Sequence, residues 1–173
     1  MNILVIGGAG YIGSHTILAL KKTGHLVSVF DSFEKGHREI LEGIIEPNRI
    51  FEGTILDSEA IDKVMINGFD AVIHFAAYIE AGESVVDPGK FFQNNTAGAI
   101  NVINAMLRHG IHQLVFSSTA AVYGSPKKLP IKEDSPKTPT NPYGTSKLMV
   151  EQAIADYTKY TPLKATILRY FNA

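Results

Sequence analysis

The stretch Ile3-Leu4-Val5-Ile6-Gly7-Gly8-Ala9-Gly10-Tyr11-Ile12-Gly13 decides the fold of this chain. Its opening residues, Ile3 to Ile6, are all apolar and mostly β-branched, which reads as a short buried strand. Gly7, Gly10 and Gly13 follow at once, and the residues beyond them take up helical spacing. Glycine at these points permits a tight turn, lets backbone approach a ligand closely, and brings helix against strand. The first helical turn carries N–H groups without intrahelical partners, and the helix dipole strengthens their pull on an anion. A pyrophosphate is the anion that such a strand-turn-helix unit holds. Asp31 closes the next apolar run, near the expected offset of about 20 residues, where a carboxylate accepts hydrogen bonds from an adenosine ribose diol and repels a 2′-phosphate. The pattern predicts a dinucleotide site that prefers NAD to NADP, with Lys35 and Arg38 near enough in sequence to soften the repulsion.

Outward from this unit, short apolar runs recur at 3–6, 26–30, 49–51, 71–75, 113–117 and 165–168, with helical spacing between them. Runs that read as continuously apolar and alternate with helices predict an α/β fold, a Rossmann-type doubly wound parallel sheet with helices on both faces. The longest helix is expected from Asp87-Pro88, where Asp caps and Pro suits the first turn, to Gly110. A second starts at Asn141-Pro142 and runs to about Tyr160. The Pro- and Lys-rich segment 125–142 reads as a surface loop.

The chain has 173 residues, 45% hydrophobic and 19% charged, enough for one buried core of ordinary size. A single NAD-binding domain over 1–173 is expected. A net charge of -1 provides no positive field to draw in a phosphodiester backbone, so nucleic acid is not an expected partner. With 0 cysteines there are neither disulfides nor thiolate metal sites, and no metal-ligand cluster stands out. The amino terminus reads as neither a signal peptide nor a membrane span, and a cytoplasmic location away from membranes is the expectation. His74, within an apolar run, is expected to pack in the core.

Asn141-Pro142-Tyr143-Gly144-Thr145-Ser146-Lys147 sets Tyr143 and Lys147 four apart at a helix start, so both side chains share one face. A phenol with a pKa near 10 is a poor base at pH 7, and lowering it by about three units takes roughly 4 kcal/mol. One ammonium at about 4 Å supplies that order of energy where the effective dielectric is near 20. Tyr143 and Lys147 are therefore candidate catalytic residues, with Tyr143 a usable base. Phe116-Ser117-Ser118-Thr119 ends a strand whose carboxyl end faces the ligand crevice of a parallel sheet. Thr119 is the candidate to hydrogen-bond a substrate oxygen; Ser117 and Ser118 have the same chemistry, and spacing does not choose among the three.

Together these segments resemble the extended short-chain dehydrogenase/reductase family, and within it the enzymes that invert C4 of UDP-hexoses. The resemblance covers 1–173. It rests on the glycine loop continued through Ser14-His15, on His74-Phe75-Ala76-Ala77, Gly82-Glu83-Ser84-Val85 and Asn94-Asn95, on 117–124 and 141–151, and on Arg169-Tyr170-Phe171-Asn172. It implies NAD as a cofactor that stays bound, UDP-glucose and UDP-galactose as substrates, a 4-keto intermediate and a place in galactose metabolism. Tyr143, assisted by Thr119, would take the proton of the sugar 4-hydroxyl. Beyond the three glycines, Asp31 and Lys147, the implied cofactor contacts are Tyr11, Ile12, Ser32, Phe33 and Gly36, then Phe75, Ala76 and Ala77, then Asn94 and Phe171. Asn172 would join Thr119 and Tyr143 in holding the substrate.

Two positions depart from the family pattern. Thr54, beside Ile55, stands where an Asp usually holds adenine, and Ile79 stands where some members carry a lysine near the nicotinamide. Ala120 and Ala121 after Thr119, where 4,6-dehydratases have an acidic residue, argue against elimination. A 4-reductase and a non-catalytic NAD-binding module are the alternatives. The family's helices from Pro88 and from Asn141 pair in a homodimer, and Ile154 is among the apolar positions that would serve this, although a core-facing role explains it equally. The family's carboxyl-terminal portion, which closes over UDP, is expected to lie outside this chain, so that the chain binds NAD but turns over UDP-sugar poorly or not at all by itself.

Overall fold

The computed structural model describes residues 1–172. Six parallel strands form one sheet: β1 (Asn2–Ile6), β2 (Leu26–Asp31), β3 (Ile50–Glu52), β4 (Ala71–His74), β5 (Gln113–Thr119) and β6 (Lys164–Tyr170), in spatial order β3-β2-β1-β4-β5-β6. The helices are α1 (Tyr11–Lys22), α2 (Ser58–Met65), α3 (Ala81–Val86), α4 (Pro88–Phe91), α5 (Ala99–Arg108) and α6 (Pro142–Tyr160). This is the doubly wound order expected from the sequence, and each expected strand is present to within two residues at either end.

The apolar strands are buried on both faces because side chains alternate along them. Leu4 and Ile6 of β1 point into one core with Phe30, Val72, Phe116, Val102, Met106 and Val150. Ile3 and Val5 point into the opposite core with Val27, Val29, Leu41 and Ile17 of α1. Asp57, Asp87 and Asn141 each accept backbone N–H bonds at the starts of α2, α4 and α6, caps worth about 1 kcal/mol apiece.

Two expectations need correction. The long helix from Pro88 is not uniform: residues Phe92–Gly98 form a wide, π-helical turn between α4 and α5, a feature that helical spacing cannot signal and that often marks a functional site. Ile154 is not an exposed pairing position. It is 2% exposed and packs in the core with Val150 and Leu163, because the face of α6 that carries it lies against the sheet. No helix of the described residues is long and apolar enough to cross a membrane.

β1 is central to function because it lies between β2 and β4, to which it is paired by Ile3↔Val27 and Ile3↔Ala71. The chain leaves β1 toward one side of the sheet first and returns to its other side later. The loops beyond the strands' carboxyl ends diverge there and open a crevice.

Candidate active site

The crevice is a cavity of about 600 Å³. Its floor is the glycine loop. Gly7 has φ +81°, and a Cβ on it would lie 2.5 Å from the Ala76 nitrogen; a Cβ on Gly13 would lie 2.3 Å from the Gly7 carbonyl oxygen. These two glycines are required by packing of the turn on β4 and on itself. Gly10 is different, since a Cβ there would meet only the Gly7 oxygen at 3.6 Å. It faces the cavity at the start of α1, and no side chain caps that helix. The open N-terminus with its glycine approach fits a pyrophosphate.

Asp31 stands at one end with 8% exposure. Its Oδ2 accepts from the Ala9 N–H at 2.9 Å and its Oδ1 from the Phe33 N–H at 2.9 Å. The carboxylate thus fastens the glycine loop to β2, and each oxygen keeps a further lone pair for a diol. Gly36 is needed because a Cβ there would stand 2.8 Å from that of Ala9. Thr54 and Ile55 line the same end.

At the other end Lys147 is buried, and its Nζ donates to the Ser117 carbonyl at 2.8 Å and sits 4.9 Å from the Phe116 ring centre. Burial pushes this lysine down to about 7. Burial pushes the Tyr143 phenol up, while a hydrogen bond from Thr119 pulls it down. The Lys147 ammonium is directed at the Ser117 backbone carbonyl. Ser118 is buried and donates to Glu151 at 2.6 Å, Ser117 contributes its carbonyl to Lys147, and Thr119 lines the crevice together with Tyr143 while its Oγ1 accepts from the Ala121 N–H at 3.1 Å.

Of the residues named from sequence, Gly7, Gly10, Tyr11, Ile12, Gly13, Asp31, Ser32 and Gly36 line the cavity on the β1–β2 side, and Thr54 and Ile55 join them. Phe75, Ala76, Ala77, Asn94, Thr119, Tyr143, Lys147, Phe171 and Asn172 line the remainder. Phe33 is the exception. With φ +56° its ring turns away, under the Arg38 guanidinium at 4.2 Å, and only its N–H serves the site, through Asp31. His74 is buried as expected, with burial and then the Lys147 charge holding its pKa down to about 3. Among the described residues no group of three or more His, Cys, Asp or Glu is arranged to hold a metal.

Sequence reasoning missed a buried brace beneath the site. Arg169 pairs with both Glu151 oxygens at 2.9 and 2.8 Å, and its Nη1 donates to the Tyr123 hydroxyl and to the Glu133 carbonyl. Glu151 continues the four-residue spacing of Tyr143 and Lys147 along α6, a signal that was available. Asn95, quoted above only as part of the resemblance, has a role that was not foreseen: from the wide turn its side chain bonds both the N–H and the carbonyl of Tyr78 at 2.9 Å, and Ser146 Oγ at 3.2 Å. No sequence spacing announces it, because the wide turn rotates it away from the helical register.

Residues 3–173 match the family model described as NAD dependent epimerase/dehydratase family. The chain is 48% identical to a UDP-glucose 4-epimerase of Rhizobium leguminosarum bv. trifolii, over 99% of its own length and 52% of that protein's. It superposes on the crystal structure of UDP-glucose 4-epimerase from Brucella ovis in complex with NAD with a TM-score of 0.93 and 41% identity, over 99% of this chain and 52% of that one. The UDP-Glc/GlcNAc 4-epimerase of Campylobacter jejuni gives 0.93 and 41%, over 99% and 53%. The chain thus spans about half the length of the relatives it matches. With the family model running through nearly every residue, and the crevice built as its dinucleotide chemistry requires, the chain belongs to the NAD dependent epimerase/dehydratase family.

Proposed function

We propose that this chain is the NAD-holding half of a UDP-glucose/UDP-galactose 4-epimerase, an isomerase. The observation that carries this reading is the single cavity with Asp31 at one end, Gly10 and the open start of α1 on its floor, and Thr119, Tyr143 and Lys147 gathered at the other. The dinucleotide's ribose belongs at Asp31, its pyrophosphate at Gly10 to Gly13, and its nicotinamide beside Phe75 to Ala77, Asn94 and Lys147, with Phe171 at the rim. When bound, NAD+ would supply the hydride acceptor for C4 of the sugar and, once reduced, the donor that restores the hydride, so that net redox change is zero.

The residues of this chain handle the proton. Tyr143 accepts it from the 4-hydroxyl and gives it back, Thr119 holds the oxygen by a hydrogen bond, and Asn172 contacts the nucleotide sugar. Lys147, fixed by the Ser117 carbonyl, keeps a titratable positive charge beside them. The chain covers 52% of the Rhizobium leguminosarum relative, and on this reading the remaining length of such a protein would hold the rest of the substrate. A homodimer pairing through α5 and α6, a cytoplasmic location and a role in galactose metabolism belong to the same reading. The exposed Met149 on α6 supports the pairing, now that Ile154 does not.

The test is Tyr143→Phe in the chain completed by the carboxyl-terminal half of the Rhizobium leguminosarum relative. Epimerisation of UDP-galactose should fall by at least about 100-fold, the usual contribution of a positioned acid–base group, with NAD still bound. Unchanged turnover removes the catalytic reading and leaves a non-catalytic NAD module.

A further inference from the structure

The loops that follow β2 and β4 rise on either side of the glycine loop, and two side-chain links join them. The Tyr78 hydroxyl donates to Glu34 Oε2 at 2.6 Å, and Lys35 Nζ lies 3.4 Å from Glu80 Oε1. All four residues line the same cavity as Gly10, Asp31 and Tyr143. Because β1 lies between β2 and β4 in the sheet, a link from one loop to the other must pass over the end of β1. A molecule that reaches from Asp31 to Tyr143 must cross the same line.

The two sides of this crossing are built differently. On the β4 side, Tyr78 is fixed. Asn95, 2% exposed, holds both polar atoms of its peptide, and the Lys90 ammonium, itself paired with Glu83 at 2.7 Å, lies 4.1 Å from its ring centre. On the β2 side, Glu34 and Lys35 belong to an exposed loop. The Lys35 and Glu80 side chains are 60% and 44% exposed, and pairs this open to water are individually weak. A rigid post therefore meets a movable arm through contacts that make and break readily. The contacts also turn both carboxylates toward donors, which lessens their repulsion of an anion beneath them.

We propose that Tyr78–Glu34 and Lys35–Glu80 form a clasp across the middle of the crevice that retains the dinucleotide after it has entered. This rests on the NAD reading above, and it assigns retention to residues that contact one another across the ligand's path. The clasp lies beside Ile79, which is 64% exposed and lines the same crevice.

The test measures NADH release from the purified chain by stopped-flow fluorescence, with excess NAD+ as displacing ligand. Tyr78→Phe removes one hydroxyl and keeps the ring, its cation contact and the Asn95 bonds. It should raise the release rate about three- to tenfold, and change uptake by less than about twofold. Glu34→Gln should raise release in the same direction, and its combination with Tyr78→Phe should add little, since both act on one link; Glu80→Gln should add to either. Release within about twofold of the parent in the Tyr78→Phe, Glu80→Gln double variant overturns the clasp, as does equal acceleration of uptake and release that leaves the equilibrium unchanged. Failure of the parent chain to take up NADH at all overturns the cofactor reading and the clasp with it, whereas uptake with unaltered release overturns the clasp alone.

Discussion

Tyr143 and Lys147 are four residues apart on α6, and Lys147 is held by the Ser117 backbone carbonyl. Burial of Lys147 has a consequence for stability. Its folded pKa is held down to about 7 from an ordinary 10.5, so between about pH 7 and 10 the unfolded chain binds the extra proton and folding is penalised as pH falls. Stability should therefore rise with pH across that window, by at most about 1.4 kcal/mol per pH unit from this residue, and the penalty is fully present below 7. Thermal melts of the parent and of Lys147→Met from pH 7 to 9.5 check this. The parent's midpoint should climb relative to the variant's, and parallel curves would refute it. That Tyr143 and Lys147 share a helix face was legible from their spacing. Which partner Lys147 takes was not, because β5 is separated from α6 by an irregular segment and its register against the helix is set only by packing.

Between elements, the Glu151–Arg169 pair ties α6 to β6, and Ser118 brings in β5, so that the two elements bearing Thr119, Ser117, Tyr143 and Lys147 are fixed to each other and to β6. The side chains are 5% and 18% exposed. Removing one partner of a pair buried this far leaves an uncompensated charge, at a cost of about 3–5 kcal/mol, whereas removing both charges costs much less. Arg169→Met should lower the urea midpoint accordingly, and Glu151→Gln in the same chain should recover a large part of the loss. A double variant no more stable than Arg169→Met would mean that the pair contributes little through charge. The wide turn Phe92–Gly98 is the other device at this scale. It interrupts a helix whose ends the sequence announces through Asp87 and Gly110, and it brings Asn95 against both the Tyr78 peptide and Ser146.

Taken whole, the molecule is built around one crevice with Asp31 at one end and Thr119, Tyr143 and Lys147 at the other, and it spans about half of each relative it matches. Phe171 and Asn172 line the cavity at its rim, with Phe171 62% exposed. On the function proposed above, the expected outcome for the chain by itself is stoichiometric NAD+ binding by isothermal calorimetry with little or no conversion of UDP-galactose in a coupled assay, since the sugar nucleotide would meet only one wall of its site. Robust epimerisation by the chain alone would contradict this.

The sequence by itself determined the strand order's logic, the glycine loop with Asp31, and the Tyr143–Lys147 pair. Each of these is written in local periodicity or in a short spacing that one element converts directly into geometry. Only the tertiary structure decided that Phe33 turns out of the crevice, that Ile154 faces the core, that Ser118 rather than its neighbours meets Glu151, and that the Tyr78 hydroxyl meets Glu34. Those outcomes depend on side chains from elements far apart in sequence competing for the same space and the same donors, and no local pattern encodes the result of that competition.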